Sequence, residues 1–393
     1  MAPRTKATWR RLDWWLLASV AALCAIGLLL VWSATVHRTY LVGNDGTAYL
    51  RRQAVNLAIG TVLGAIIAAT DHRWMRIWAP VIYLGSIAGL LLIFVPGVGA
   101  TVNGSHSWLM LGGLSVQPSE LAKLGVIVGM ALVLAEHTEG RLRTHLTSSD
   151  LISALGIAGV PALLILAQPD LGTLMVLTAI VFGVLALAGA PKRWLAGLVT
   201  TGVGAVTVAV SVGLLQHYQL LRFEAFADPS LDPQGAGYNT IQARIAIGNG
   251  GLFGQGLFQG SQTQAGFVPE QHTDFVFTVA GEELGLVGAG AIIVLFMVVL
   301  WRALRMARNA PDLFGRCAAV GVACWFGFQA FQNIGMCLGI MPVTGVPLPL
   351  VSYGGTSMFA SLMAVGLLQN LHLRADRRLG LGIIVRSQLA RSR

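Results

Sequence analysis

Apolar runs of roughly 17–25 residues alternate with shorter polar connections along the whole chain, and each run is long enough as a helix to cross ~30 Å of hydrocarbon. About ten such runs can be read, at 14–35, 52–70, 74–95, 117–136, 151–168, 171–190, 194–215, 274–300, 315–339 and 353–373. The pattern predicts an all-α integral membrane protein, one polytopic bundle over residues 1–393, with an N-terminus at 1–13, a large loop at 216–273 between the seventh and eighth helices, and a tail at 374–393. The first run follows basic residues, as in a signal peptide. It is longer than an h-region and lacks a small-residue cleavage site, so it counts as a span.

Two connections are too long for simple turns. The first, 96–116, carries Val102-Asn-Gly-Ser-His-Ser-Trp-Leu109, a mixture expected of a chain re-entering the interface, where His106 and Trp108 could serve only as amphipathic anchors. The second, 216–273, has turn formers at Asp228-Pro229 and Asp232-Pro233. An amphipathic stretch at Tyr238–Ile247 and a glycine-rich turn at Gly248–Gly256 follow. No strand precedes those glycines, so they are no nucleotide fingerprint; they are expected as flexible backbone lining a substrate groove.

Composition strengthens the membrane reading, because 393 residues with 55% hydrophobic, 11% charged and a mean hydropathy of +0.70 exclude a soluble domain. The net charge of +9 lies in short clusters rather than one stripe, which speaks for topology and against nucleic acid. Arg4, Lys6, Arg10 and Arg11 precede the first span and Arg374, Arg377 and Arg378 follow the last, so both termini are expected in the cytoplasm. Arg73 and Arg76, Arg141 and Arg143, Lys192 and Arg193, and Arg302, Arg305 and Arg308 mark the same side. Arg51 and Arg52 depart from the pattern and suit lipid phosphates on the opposite side. Cys24, Cys317, Cys324 and Cys337 all sit in apolar runs, without metal-ligand spacing, and read as small hydrophobes.

The residues able to do chemistry converge on the outer side. Asp274 stands where a polar loop enters an apolar run, with Glu270 and His272 beside it; it either caps the helix, which Thr273 could also do, or serves a reaction. Glu282 and Glu283 lie about 12–14 Å further on by helical rise and are expected to support that helix. Glu120 and Lys123 share a helical face after Gln117-Pro-Ser119 and form either a neutralising ion pair or part of a cavity. Asp170 either caps the sixth helix or joins the site. Asn333, Pro342 and the rigid Pro-rich segment that follows lead to Ser352-Tyr-Gly-Gly-Thr356. That stretch opens the last helix with outward N–H groups that attract anions or are capped by their own hydroxyls.

Three of these motifs, Gln117-Pro-Ser-Glu-Leu-Ala-Lys123, Pro269-Glu-Gln-His-Thr-Asp-Phe-Val-Phe277 and Pro342-Val-Thr-Gly-Val-Pro-Leu-Pro-Leu-Val-Ser-Tyr-Gly-Gly-Thr-Ser357, resemble in order the SEDS family of bacterial cell-wall and cell-division proteins (RodA, FtsW, SpoVE). Phe331–Met336 and Gly260–Gln264 look more like the RodA elongation branch. The resemblance implies a peptidoglycan glycosyltransferase that polymerises lipid II into polyprenyl-pyrophosphate-linked glycan outside the cytoplasmic membrane. Its partners would be a class B penicillin-binding protein and other elongation-complex membrane proteins. It marks Asp274 as the essential acid, while Ser107 stands before Trp108 where the family commonly has arginine.

Such a transfer needs a base for the attacking hydroxyl, for which Asp274 is the candidate, and cationic or dipolar groups for the departing pyrophosphate. Lys123, Arg222, Arg244, the helix end at Gly354-Gly355, or a magnesium or manganese ion could supply them. The expected substrate-binding set is Glu120, Lys123, Trp108, Gln117, Ser119, Asp170, Arg222, Arg244, His272, Thr273, Ser352, Tyr353, Gly354, Gly355 and Thr356, with Glu270, Glu282, Glu283, Asn333 and Pro342 in support. Ten spans with embedded charges would also suit a lipid II flippase, or a scaffold for the penicillin-binding protein.

Overall fold

Hydrocarbon offers no partner to backbone N–H and C=O groups, so each apolar run must close its own hydrogen bonds as a helix. The computed structural model describes residues 11–38, 43, 45–102, 105–111, 114–139, 146–213, 217–232 and 235–391. Arg4, Lys6, Arg10, Arg141, Arg143, Asn103 and Pro233 lie outside these residues. The long helices are α1 (Trp14–Val36), α2 (Ala48–Ala69), α3 (His72–Leu92), α4 (Pro118–Glu139), α5 (Ser148–Ala167), α6 (Leu171–Leu187) and α7 (Lys192–Ser211). Then come α8 (His217–Ala227), α9 (Ala236–Asn249), the short α10 (Ser261–Ala265), α11 (Val276–Glu283), α12 (Gly285–Asn309), α13 (Leu313–Leu338) and α14 (Gly355–Arg391). Among the described residues eight of these are long and apolar enough to cross a membrane, and α6 is a shorter apolar helix. Nine of the expected runs each fall on one helix and the eighth is divided between α11 and α12, and the protein is a multi-pass membrane protein.

The bundle is organised around α13, which packs against α4, α6 and α12 and buries Phe314, Trp325 and Phe326 completely. Helix α14 lies along α2, and α7 stands apart with its apolar side chains exposed. That exposure is what a lipid-facing helix requires.

The helical membrane bundle is as expected, and within it the connection 96–116 holds a small three-stranded antiparallel sheet of β1 (Gly99–Val102), β2 (Ser105–Leu111) and β3 (Leu114–Val116) that pairs Ala100 with Trp108 and Leu109 with Val116. Two expectations are corrected. The eighth span is not one helix over 274–300: Gly285 has φ +65°, which no right-handed helix accommodates, and the chain breaks between α11 and α12. The glycine-rich turn does not line the cavity described below. It splices the break, with Gln255 and Gly256 N–H donating to the carbonyls of Glu282 (2.9 Å) and Glu283 (3.1 Å), and Leu286 N–H to that of Gly251 (2.9 Å). Backbone groups orphaned by the break are thereby satisfied. The last helix also continues through the expected tail, to Arg391.

Candidate active site

A cavity of about 720 Å³ opens where β2 and the first turns of α4, α6 and α14 meet α8, α9 and the loop before α11, a volume in the range that holds a small-molecule ligand. Asp274 lies on its wall, in the loop and outside the spanning helices. The residue capping α11 is Phe275, without a side-chain hydrogen bond, so the Asp274 carboxylate is not committed to capping. Its backbone N–H donates to Glu270 O (3.0 Å), while its carbonyl accepts from Asn333 Nδ2 (2.7 Å). Burial, and secondarily the charge of Glu270, push the carboxyl up to about 7, against the pull of Arg222 and with a further push from Asp170. Glu270 itself is exposed at φ +46° and accepts from the Thr273 hydroxyl (3.1 Å).

The rest of that loop turns inward. Gln271 accepts from Arg38 (2.7 Å) and donates to Thr263 and Thr278, anchoring the loop on α1's exit and on α10. The His272 carbonyl accepts from the Tyr353 N–H (2.9 Å), and its ring packs edge-on against Tyr49 at 5.0 Å. Burial, assisted by Arg38, lowers the imidazole to about 4, so it is neutral at pH 7. His272 is therefore a brace between loop and α14 rather than a wall residue, which corrects its expected substrate contact.

Trp108, Gln117, Asp170, Arg222, Thr273, Pro342, Tyr353, Gly354, Gly355 and Thr356 do line the cavity with Asp274 and Glu270. Asp170 caps α6, accepting from Thr173 N (2.9 Å), and also from Gln117 Nε2 (3.2 Å), so capping and a place in the site coexist. The Thr356 hydroxyl accepts from Gln117 N (3.1 Å), tying the first turns of α4 and α14 together.

Other expected contacts are absent from the wall. Lys123 and Glu120 are 0% and 1% exposed and pair with each other at 2.7 Å inside the bundle, below the cavity wall. Ser119 and Ser352 are buried, the latter accepting from Leu348 N (2.8 Å), and Arg244 is exposed beside Gly339. Glu282 holds the first turn of α10 through Gln262 N (2.7 Å) and Thr263 N (2.9 Å), and Glu283 accepts from Ser33 on α1 (2.6 Å).

Sequence reasoning missed Gly345. At φ +69° it brings its backbone so near the carboxylate that an added Cβ would stand 3.3 Å from Asp274 Oδ2. A glycine between Thr344 and Val346 in a Pro-rich segment was the available signal. Also missed were Met175, Asn239, Thr344 and Pro347, whose types carry no distinctive chemistry in a sequence.

The profile of the FtsW/RodA/SpoVE family, described as cell cycle protein, matches residues 14–377. A probable peptidoglycan glycosyltransferase FtsW of Geobacter sp. strain M18 is 36% identical over 92% of this chain and 97% of its own length. Stage V sporulation protein E of Bacillus subtilis is 38% identical over 89% and 93%, and the peptidoglycan glycosyltransferase MrdB of Escherichia coli 37% over 94% and 96%. Among solved structures, a chain of a peptidoglycan synthase complex that coordinates polymerization and crosslinking superposes with a TM-score of 0.75, at 33% identity over 93% of this chain and 98% of that one. The rod shape determining protein RodA of Thermus thermophilus gives 0.67 at 32% identity, over 94% and 98%.

Proposed function

This chain belongs to the FtsW/RodA/SpoVE family, and from that premise we propose that its glycosyl transfer takes place in the cavity over Asp274. It is a peptidoglycan glycosyltransferase. The observation that carries the site is the Asp274 carboxyl on the cavity wall, left uncommitted by the helix it precedes and pushed by burial up to about 7.

The acceptor is a lipid II disaccharide, whose 4-hydroxyl attacks the anomeric carbon of a polyprenyl-pyrophosphate-linked donor. Asp274 takes the hydroxyl proton as the C–O bond forms and the bond to pyrophosphate breaks. One displacement with one base inverts the anomeric centre. The leaving group departs already ionised, so it needs positive potential rather than an acid. Arg222 and the N-terminal turn of α14, which starts at Gly355, lie on the same wall and supply it. A magnesium or manganese ion would add Lewis-acid stabilisation there. Such ions need only one or two carboxylates beside phosphate oxygens, and Asp170 would offer one from the wall while Asp274 serves as the base. The described residues contain no cluster of three or more metal-ligating side chains, which that mode of binding does not require.

The cavity faces the outside of a bacterial cytoplasmic membrane, with both termini inside, and the partner is a transpeptidase of the class B penicillin-binding type. An elongation role rests on Phe331–Met336 and Gly260–Gln264 alone, since FtsW and MrdB relatives are nearly equally similar. The test is purified chain in proteoliposomes with lipid II, with and without the transpeptidase. Glycan strands are expected; translocated lipid II without polymer would reassign the chain to the transporter class.

Two outcomes follow for that assay. A base must be unprotonated, so the rate should rise about tenfold per pH unit below neutrality and level off above pH ~7. A profile flat down to pH 5 would remove Asp274 from the role. Gly345→Ala puts a Cβ against Asp274 Oδ2 on a left-handed backbone, and is expected to lower stability by about 1–2 kcal/mol in thermal unfolding and to slow polymerisation more than that loss explains.

A further inference from the structure

Helix α13 buries three amides, Gln329, Gln332 and Asn333, on adjoining turns of its C-terminal half. Each donates to the Pro-rich segment that walls the cavity. Gln329 Nε2 reaches Pro347 O at 2.8 Å, Gln332 Nε2 reaches Thr344 Oγ1 at 2.7 Å, and Asn333 Nδ2 reaches Val346 O at 2.7 Å. Residues 343–348 have no secondary structure, so these amides set their register. Asn333 differs from its neighbours because the same Nδ2 also donates to Asp274 O at 2.7 Å.

Both acceptors are carbonyls, so both N–H bonds of the amide are used, and the Oδ1 orientation follows from that pairing. Asn333 is fully buried and does not line the cavity, so it cannot touch substrate. Between its two carbonyls Gly345 faces the Asp274 carboxylate, where an added Cβ would stand 3.3 Å from Oδ2.

Building on the assignment of Asp274 as base, we propose that Asn333 is a positioning residue: its amide clamps the Asp274 backbone to Val346, holding the carboxylate against Gly345. The groups facing that carboxylate are Glu270 on its own loop, Asp170 from α6, Arg222 from α8 and the Cys337 thiol from α13. The segment 342–347 brings no titratable group. With that charge set unchanged, releasing the clamp changes chiefly how far the carboxylate recedes from water. A more hydrated carboxylate loses its proton at lower pH.

The experiment is the pH profile of lipid II polymerisation, with KM and thermal unfolding, for wild type, Asn333→Ala, Asn333→Ser and Gln332→Ala. Asn333→Ala should lower kcat by about 10- to 100-fold with KM within about threefold, as expected for a base displaced by an ångström or less. Its acid limb should move down by about one pH unit. Asn333→Ser keeps one donor and should fall between. Gln332→Ala loses a bond to the same segment but none to the Asp274 loop, and should leave the acid limb in place while still lowering the unfolding temperature. A folded Asn333→Ala with the wild-type limb overturns the clamp, as does a Gln332→Ala limb displaced equally. If Asn333→Ala does not fold, Asn333→Ser decides, with an intermediate limb supporting the clamp and an unmoved one overturning it. Asp274→Asn separates the two ideas. If that variant keeps wild-type activity, the base assignment fails; if it is inactive while the Asn333 variants keep the wild-type limb, only the clamp fails.

Discussion

Asp274→Asn should abolish polymerisation without unfolding the protein. Asparagine matches aspartate in shape, and the backbone bonds that fix the residue, from Asp274 N to Glu270 O and from Asn333 to Asp274 O, do not involve the side chain. What disappears is the proton acceptor. General base catalysis contributes typically about 10²–10⁴-fold, so the barrier should rise by roughly 3–5 kcal/mol. Folding should be preserved or improved, because the carboxyl is recessed beside Glu270 and Asp170 and the amide is neutral. The measurement is glycan formation from lipid II by wild type and variant side by side, with thermal unfolding of each. A variant within tenfold of wild type would mean that the acceptor hydroxyl loses its proton elsewhere. A scaffold role predicts something different again, namely that cells tolerate the substitution as long as the complex assembles.

The spans and the chemistry of the site were legible in the sequence for different reasons. A helix in lipid must be continuously apolar, so α1 to α7 and α13 announce themselves by run length. Asp274 stood out because an ionisable group at the end of such a run is costly unless it works. The break at Leu284–Gly285 was hidden, because Glu282 and Glu283 before it read as supports on a continuous helix; what stabilises it is the docking of residues 250–256, distant in sequence. The sheet was hidden because its strands are short and not alternating in type, and what fixes them lies elsewhere, such as Gln168 O accepting from Ser105. The α13 amides were hidden for the opposite reason. Gln329 and Gln332 look like tolerated polar residues in a span until the segment they hold is seen. Arg244 and Ser352 show the converse limit, being of suitable type for the site but directed to other tasks by local geometry.

Lys123→Met should cost more stability than Asp274→Asn or Gly345→Ala. Lys123 Nζ donates to Glu120 Oε1 and to Gln329 Oε1, both at 2.7 Å, and lies 5.0 Å from the centre of the Trp325 ring. Methionine fills the space but leaves Glu120 buried without its cation, a situation that costs about 3–5 kcal/mol. The folded yield should collapse. The informative partner is the double variant Glu120→Gln/Lys123→Met, which removes both charges and keeps the volume, and which should recover most of the loss because a buried pair exchanged for neutral groups is often nearly neutral in stability. Its activity then separates the two readings the sequence left open. If the pair only neutralises itself below the cavity, the recovered protein polymerises lipid II at a rate close to wild type, since Gln329 still reaches Pro347 and the wall is unmoved. If Lys123 meets the pyrophosphate at any stage of the reaction, the recovered protein folds but its kcat stays depressed by about tenfold or more, and the cavity must then deepen towards α4 when substrate enters.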